Sequence, residues 1–208
     1  TLTPLNGAVG VRAVALGVRK PTPDTNDQSP WDTQLVPVYI RPAAPSVALA
    51  PDSDTGLAND DGVTNLNNTS GKKLHFNVTG TVNGAVVEVL ADGVVVGTGT
   101  ASGTSMTIES TGTYTLSDGP HSLTVQQTLH DQAVDVGNLQ TSVELASDES
   151  AATNIVVDTA ALVVTSTPPA NAVEGQAYSY QITTNDTGGI ARFVLTASPT
   201  GMAINAAT

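Results

Sequence analysis

The sequence predicts an all-β protein. Val and Thr, whose branched side chains favour extended backbone, occur 26 and 30 times among 208 residues. In LHFNVTGTV (74–82) apolar residues recur at every second position, which is the period of a half-buried strand. Asn83-Gly84 and Asp92-Gly93 stand between such runs, and these dipeptides favour the tight turns of antiparallel hairpins. The sequence therefore predicts a meander of short antiparallel strands.

Composition and charge exclude several classes of protein. Seven Lys and Arg stand against 19 Asp and Glu, a net charge of −12, so the basic residues are too few for a nucleic-acid interface. No window approaches the roughly 18 apolar residues of a membrane span, so we expect no membrane insertion. The absence of Cys excludes disulfides and thiolate sites, and with few Lys it suits an extracellular surface protein.

Net charge and proline-containing stretches near residues 41–45 and 168–169 divide the chain into three segments. Residues 1–42 carry a net charge of +1, residues 43–160 carry −12, and residues 161–208 carry −1. The middle segment reads as about seven short strands with frequent turns, the pattern of an immunoglobulin-like sandwich. The first segment offers strands at 9–18 and 34–40, and the last segment offers three. Neither flank has enough strands to offset the entropy of folding, so each needs a partner.

Several motifs of the middle segment resemble bacterial immunoglobulin-like repeats of large surface adhesins and biofilm proteins. The resemblance covers about residues 45–160 and rests on PDSDTG (51–56), DDGVTN (60–65), LADGVVVGTG (90–99) and LSDGPHSLTV (116–125). The Trp that the family usually has after the third hairpin is absent, and the stretch over residues 139–150 is longer than is usual in the family. The resemblance implies one complete immunoglobulin-like domain over residues 43–160.

The C-terminal flank resembles a second family, a cadherin-like or immunoglobulin-like module of many secreted proteins. The matching residues are STPPANAVEGQAYSYQI (166–182) and PTGMAIN (199–205). In that family the chain continues with strands that this sequence shows near its N-terminus instead. The resemblance thus implies a split module: residues 161–208 form its N-terminal half and residues 1–42 its C-terminal half. The halves would join head-to-tail between copies, either by strand addition or by covalent tandem repetition.

The seam of this split module should contain apolar residues of both flanks. The candidates are Val9, Val11, Ala13, Val36 and Val38 on the N-terminal side, with Tyr178, Tyr180, Ile182 and Phe193 on the C-terminal side. We expect the N-terminal strands to pair with the C-terminal flank of an adjacent copy, because an unpaired apolar edge recruits another strand. We do not expect them to fold back on the middle segment of their own chain.

An acidic loop is the candidate metal site. Asp52, Asp54, Asp60 and Asp61 lie in one loop with two glycines, and hard oxygen ligands on a turn suit Ca²⁺. The resemblance to adhesin repeats also implies calcium near domain junctions. A solvated acidic loop selected by turn chemistry is an equally open interpretation. Asp131 is a further candidate ligand, although as a turn residue it needs no metal.

Signals for catalysis are poor. The three histidines lie on or next to predicted strands, and no nucleophile elbow, zinc-binding helix motif or phosphate loop occurs. We therefore predict a protein that is not an enzyme: an extracellular structural repeat of a filament, sheath or adhesin stalk. The alternative is an adhesin or carbohydrate-binding module. Its loop 20–33 would present Trp31 for stacking on glycans or a cell-surface polymer.

Overall fold

The computed structural model describes residues 9–18, 32–56, 58–136, 139–185, 193–194, 196–197 and 200–204. This part of the chain is all-β, as predicted, and contains no helix. Accordingly, none of it forms a helix that could cross a membrane. The strands are β1 (Gly10–Val18), β2 (Asp32–Ile40), β3 (Ser46–Leu49), β4 (Val63–Thr64), β5 (His75–Thr79), β6 (Val86–Ala91), β7 (Val94–Thr100), β8 (Ser105–Glu109), β9 (Gly119–Val136), β10 (Leu139–Ala146) and β11 (Thr153–Val157).

The strands form three sheets. Strands β1 and β2 pair as an antiparallel hairpin, which confirms the two strands predicted in the N-terminal flank. Strands β3, β5 and β8 form a three-stranded antiparallel sheet. The largest sheet has the order β4-β11-β9-β6-β7, with β10 also pairing with β9. Its β11–β4 contact is parallel, and its other pairs are antiparallel.

The main core lies between the three-stranded sheet and the largest sheet. It joins Phe76, Val78 and Ile108 of the first to residues such as Val87 and Leu123 of the second. The predicted alternation is confirmed in β5, where the apolar positions are fully buried and the polar positions between them are not. Each buried side chain of this size contributes roughly 1.5–3 kcal/mol of transfer free energy.

Only one of the two predicted hairpin turns joins paired strands. Asp92-Gly93 connects β6 to β7, and both residues have positive φ, 50° and 79°, as this turn requires. Asn83-Gly84 instead lies on a connection between sheets, because β5 belongs to the three-stranded sheet and β6 to the largest one. The prediction of a continuous meander through both turns is therefore wrong.

Strand β9 is 18 residues long and extends beyond the main core. It pairs successively with β11, β6 and β10, and the β10 pairing covers its last part, Thr128–Val136. This extension carries a second apolar cluster, in which Val11 of β1 is buried with Ala85, Leu129 and Leu145. The prediction that the N-terminal strands do not fold back on the middle segment is therefore wrong, since both strands of the hairpin lie next to β9. Contact with Leu129 and Leu145 removes Val11 from water within its own chain.

The C-terminal segment is sparsely paired. Residues 161–185 form no strand element, but the bridge between Val164 and Thr184 and backbone hydrogen bonds join residues 163–166 to residues 183–185. The strand predicted over ALVVTS (161–166) is not formed there. Leu162, Val163 and Val164 are each more than half exposed. The segment thus keeps apolar side chains in water that a neighbouring strand would cover.

Candidate functional site

The acidic loop between β3 and β4 is organised around two carboxyl groups. Its first turn is closed by hydrogen bonds from the Ser53 and Asp54 amides to the Ala50 carbonyl, at 2.9 and 3.0 Å. This turn carries Asp54 inward, so that its side chain is only 7% exposed. The Gly62 amide donates to Asp54 Oδ2 at 2.9 Å, whereas buried Oδ1 has no hydrogen-bond partner among the described residues. An unpaired buried oxygen is costly, and it marks the place where a ligand would be most useful.

Asp61 is the second carboxyl group of this loop. Its Oδ1 accepts a hydrogen bond from the Val63 amide and its Oδ2 accepts one from the Ala58 amide, both at 3.0 Å. Gly56 packs directly against it, since a Cβ atom at residue 56 would lie 2.5 Å from Asp61 Oδ1. The loop therefore holds Asp61 by backbone donors and by a glycine that permits close approach.

The two carboxyl groups influence each other. Burial raises the pKa of Asp54, and the neighbouring Asp61 carboxyl raises it further, while the Gly62 amide acts in the opposite direction. A pair of this kind favours either a shared proton or a bound cation, because two adjacent charged carboxylates repel each other. Carboxylate and backbone oxygens are also the ligands that Ca²⁺ prefers.

The other predicted calcium ligands do not join this pair. Asp52 Oδ2 lies 2.6 Å from His75 Nδ1. Asp131 lies on β9, where its Oδ1 accepts a hydrogen bond from the Ser142 hydroxyl at 3.1 Å. No group of three or more acidic or histidine side chains in the described part of the chain is arranged to hold a metal ion, and this applies to Asp60 as well. Asp54 and Asp61 bring two carboxyl groups together, and calcium binding stays a prediction.

Each of the three histidines is paired with a carboxylate. His75 contacts Asp52, and His130 Nδ1 lies 2.9 Å from Glu144 Oε1. The hydrogen bond that His75 donates to the Asp52 carboxylate raises the pKa of His75. Glu109 lies 3.5 Å from His75 Nε2 and 2.5 Å from Lys73 Nζ, and this lysine lowers the pKa of Glu109. These groups form an exposed charge network without a nucleophile.

His121, which lies on a strand as predicted, is buried. Its Nδ1 lies 2.6 Å from Asp92 Oδ2 and its Nε2 lies 2.7 Å from the Ser117 carbonyl oxygen. Burial lowers its pKa, but the Ser117 carbonyl and Asp92 outweigh that effect, so the pKa is raised. The Ser122 amide and His121 lower the pKa of Asp92. The arrangement ties the β6–β7 turn to the start of β9 and is structural in character.

The predicted seam residues of the N-terminal flank differ in burial. Val11 is buried, and Val9, Val36 and Val38 are half-buried. Ala13 pairs with Pro37 across the β1–β2 hairpin, but its side chain lies outside the described part. Of the C-terminal seam residues, Tyr178 is exposed, whereas Tyr180, Ile182 and Phe193 are half-buried.

Three of these C-terminal residues line a cavity. Tyr178, Tyr180 and Ile182 face residues 200–204 across a space of about 680 Å³. The Tyr180 hydroxyl lies 2.5 Å from Ser166 Oγ, which fixes the ring at one end. The cavity is large enough for several side chains of another strand, and the inter-subunit role of its lining stays a prediction.

Trp31 and most of loop 20–33 lie outside the described residues, so glycan binding stays a prediction. No family model and no curated protein matches this chain.

Sequence reasoning missed one polar residue of structural importance. Gln127 is fully buried, and its side chain makes three hydrogen bonds to the backbone of two connections, at residues 43 and 80–82. The signal was present in HSLTVQQTL (121–129), where Gln127 occupies an inward position between Val125 and Leu129. A polar residue on an apolar face implies buried hydrogen bonds.

Proposed function

We propose that this chain is an extracellular structural repeat unit that assembles head-to-tail into a surface filament, sheath or adhesin stalk. In this proposal residues 43–160 form a bacterial immunoglobulin-like sandwich. The two flanks form halves of a second immunoglobulin-like module that is completed by an adjacent copy. The role is mechanical, and the high negative charge keeps the array soluble.

The arrangement of the main core supports the immunoglobulin-like part of the proposal. A three-stranded sheet faces a larger sheet, and their inward side chains make one core, as a sandwich requires. Seven of the nine strands between residues 43 and 160 contribute side chains to this core, the number expected of such a domain: β3, β5, β6, β7, β8, β9 and β11.

The observation that carries the assembly proposal is the exposed apolar surface of residues 161–185. Leu162, Val163 and Val164 are 54–56% exposed around a single bridge to Thr184. Residues 163–166 are hydrogen-bonded to residues 183–185, and the exposed apolar side chains of this short hairpin make its outer edge a template for another strand. The nearby cavity lined by Tyr178 and Ile182 would receive side chains of that strand.

The N-terminal hairpin is the proposed donor. Val11 is buried within its own chain, but Val36 and Val38 of β2 are only half-buried, and among the described residues β2 pairs with β1 alone. In this proposal a C-terminal segment of a neighbouring copy extends the other edge of β2. In this form the proposal assigns the contact to β2 and leaves β1 on the second apolar cluster.

Sedimentation and electron microscopy of the full chain test this proposal. We expect concentration-dependent, end-to-end oligomers, and Val163→Lys should weaken them at least tenfold because it places a charge in the seam. The matched control is Val94→Lys, since Val94 is an exposed valine of β7, outside the seam. A parent protein that stays monomeric at high concentration would contradict the proposal, as would equal losses in the two variants.

A further inference from the structure

The buried carboxamide of Gln127 connects three segments of the chain: its own strand β9, residues 80–82 and residues 41–45. Its Oε1 accepts a hydrogen bond from the Val82 amide at 2.8 Å. Its Nε2 donates to the carbonyl oxygens of Ala43, at 2.7 Å, and of Gly80, at 3.1 Å. Two carbonyls on one side and one amide on the other fix which atom is nitrogen. Both donors of the side-chain amide and one lone pair of its oxygen are thus used, and an apolar residue could not replace these bonds.

One of these three segments is the connection between β2 and β3, residues 41–45. Its Pro42 and Pro45 are buried, and Gln127 holds the carbonyl of Ala43 between them. Arg41 adds an ion pair to Asp148 at 3.1 Å, but both groups are exposed and the pair contributes little. This segment, which marks the boundary between the first two segments of the sequence, is docked on the sheet.

Gln127 also stands between the two apolar clusters. Leu123, Val125, Gln127 and Leu129 alternate along β9 and point to one face of the sheet. Leu123 and Val125 belong to the main core, whereas Leu129 belongs to the second cluster with Val11. The same strand therefore carries both clusters, and Gln127 occupies the position where one ends and the other begins.

We infer that Gln127 is a positioning residue that holds the β1–β2 hairpin in one fixed orientation on the main core. The hairpin is attached at two places, by Val11 on the second cluster and by residues 41–45 on Gln127. Both attachments lie at the end of the hairpin where Gly10 pairs with Ile40, and together they restrict its rotation more than either one alone would. The inference concerns a single chain, so it does not depend on the proposed assembly, although a fixed joint would make an assembled array stiff.

Distance measurement between two spin labels tests this inference. The chain has no Cys, so Tyr39→Cys on β2 and Thr98→Cys on β7 give two unique labelling positions, both exposed. We expect a single narrow distance distribution in the otherwise unchanged full chain. Gln127→Met, which keeps the length of the side chain and removes its hydrogen bonds, should widen the distribution at least twofold.

Gln126→Met is the matched control. Gln126 precedes Gln127 on β9, points to the opposite face and donates only to the Ser147 carbonyl, at 2.8 Å. We expect this variant to keep the narrow distribution. A broad distribution in the parent would overturn the inference, and so would an unchanged one in folded Gln127→Met.

A second variant covers the case in which Gln127→Met does not fold. Insertion of two glycines between Ala43 and Ala44 moves the Ala43 carbonyl out of reach of Gln127 and leaves the main core intact. We expect the same widening in this variant. A narrow distribution after the insertion would show that residues 41–45 do not position the hairpin, and the inference would then be wrong.

Discussion

His121 and Asp92 form an ion pair that links two loops of the largest sheet. The Nδ1 atom of His121 lies 2.6 Å from Asp92 Oδ2, and the Ser122 amide donates to Asp92 Oδ1 at 2.9 Å. The other ring nitrogen of His121 meets the Ser117 carbonyl oxygen. Since both partners of the ring are acceptors, both nitrogens must donate, and only the protonated imidazole can do so. The structure therefore favours a charged histidine at this position.

This pair should make stability depend on pH. The folded-state pKa of His121 is raised above its ordinary value of 6.5, so its contribution is complete below that pH and is lost as pH rises through the folded pKa. The pKa of Asp92 is lowered from 3.8, so its contribution is present above that value and is lost as pH falls through the folded pKa. Urea unfolding across pH 4–9 should show greatest stability between about 4 and 6.5, with a decline above.

Replacement of His121 isolates this effect. His121→Gln keeps a hydrogen-bonding side chain that does not titrate, so the decline between pH 6 and 8 should become shallower. The pKa of His75 is also raised, so His75 should leave a residual slope. His130→Gln is the control, because His130 is exposed and pairs with an exposed glutamate. An unchanged slope in His121→Gln would show that this pair does not govern the pH dependence.

Calcium should stabilise the fold if Asp54 and Asp61 ligate it. A ligand that binds only the folded state at 100 times its dissociation constant adds about 2.7 kcal/mol to the free energy of unfolding. The melting temperature should then rise with millimolar calcium and fall with EDTA. Asp54→Asn should abolish the difference, because it removes the buried carboxylate oxygen that lacks a partner.

The control for the calcium experiment is Asp148→Asn, which removes an exposed acid outside the loop. It should retain the full response to calcium. If neither calcium nor EDTA changes the melting of the parent protein, the acidic loop is a solvated turn. In that case Asp54→Asn should still raise stability at neutral pH, since it removes a buried charge next to Asp61.

Gly56 should be intolerant of even a methyl group. In Gly56→Ala the new carbon would lie 2.5 Å from Asp61 Oδ1 and 2.9 Å from the Val63 Cβ atom. We expect a loss of about 1–3 kcal/mol in the free energy of unfolding, the usual cost of overpacking. Gly71→Ala is the control, because no atom of the described chain lies within 4 Å of the place its new methyl group would occupy. If urea unfolding gives the two variants the same free energy of unfolding, the loop accommodates the methyl group at residue 56 without loss of stability.

The local pattern of the sequence predicted the strands well and their pairing less well. The alternation in β5 and the Asp92-Gly93 turn depend on neighbouring residues, and both are confirmed. The Asn83-Gly84 turn has the same local chemistry, but its strands belong to different sheets. The Val82 amide, next to the Asn83-Gly84 turn, donates a hydrogen bond to Gln127. Gln127 lies 45 residues away, so no local pattern shows this contact.

In the acidic loop, too, local sequence predicts which residues are present but not which side chains come together. Four aspartates in one loop were visible in the sequence, but only the fold decides that Asp54 turns inward beside Asp61 while Asp52 turns to His75. The extension of β9 to Val136 was also missed, since Asp131 suggested a turn. Asp131 has a φ of 52° yet remains within the strand, at the irregularity in the pairing of β9 with β10.

Truncation of two leucines on β9 should separate the two apolar clusters. Leu123→Ala opens a cavity in the main core and should cost about 2–5 kcal/mol in the free energy of unfolding. Leu129→Ala affects the second cluster, where it removes the contact surface of Val11. We expect a smaller global loss and a selective fall in amide hydrogen-exchange protection in β1 and β2, because local opening exposes those strands first. Hydrogen exchange of both variants, measured at equal distance from their unfolding midpoints, checks this. If Leu129→Ala lowers protection in β5 as much as in β1, the two clusters unfold as one unit, and the hairpin is part of the main core.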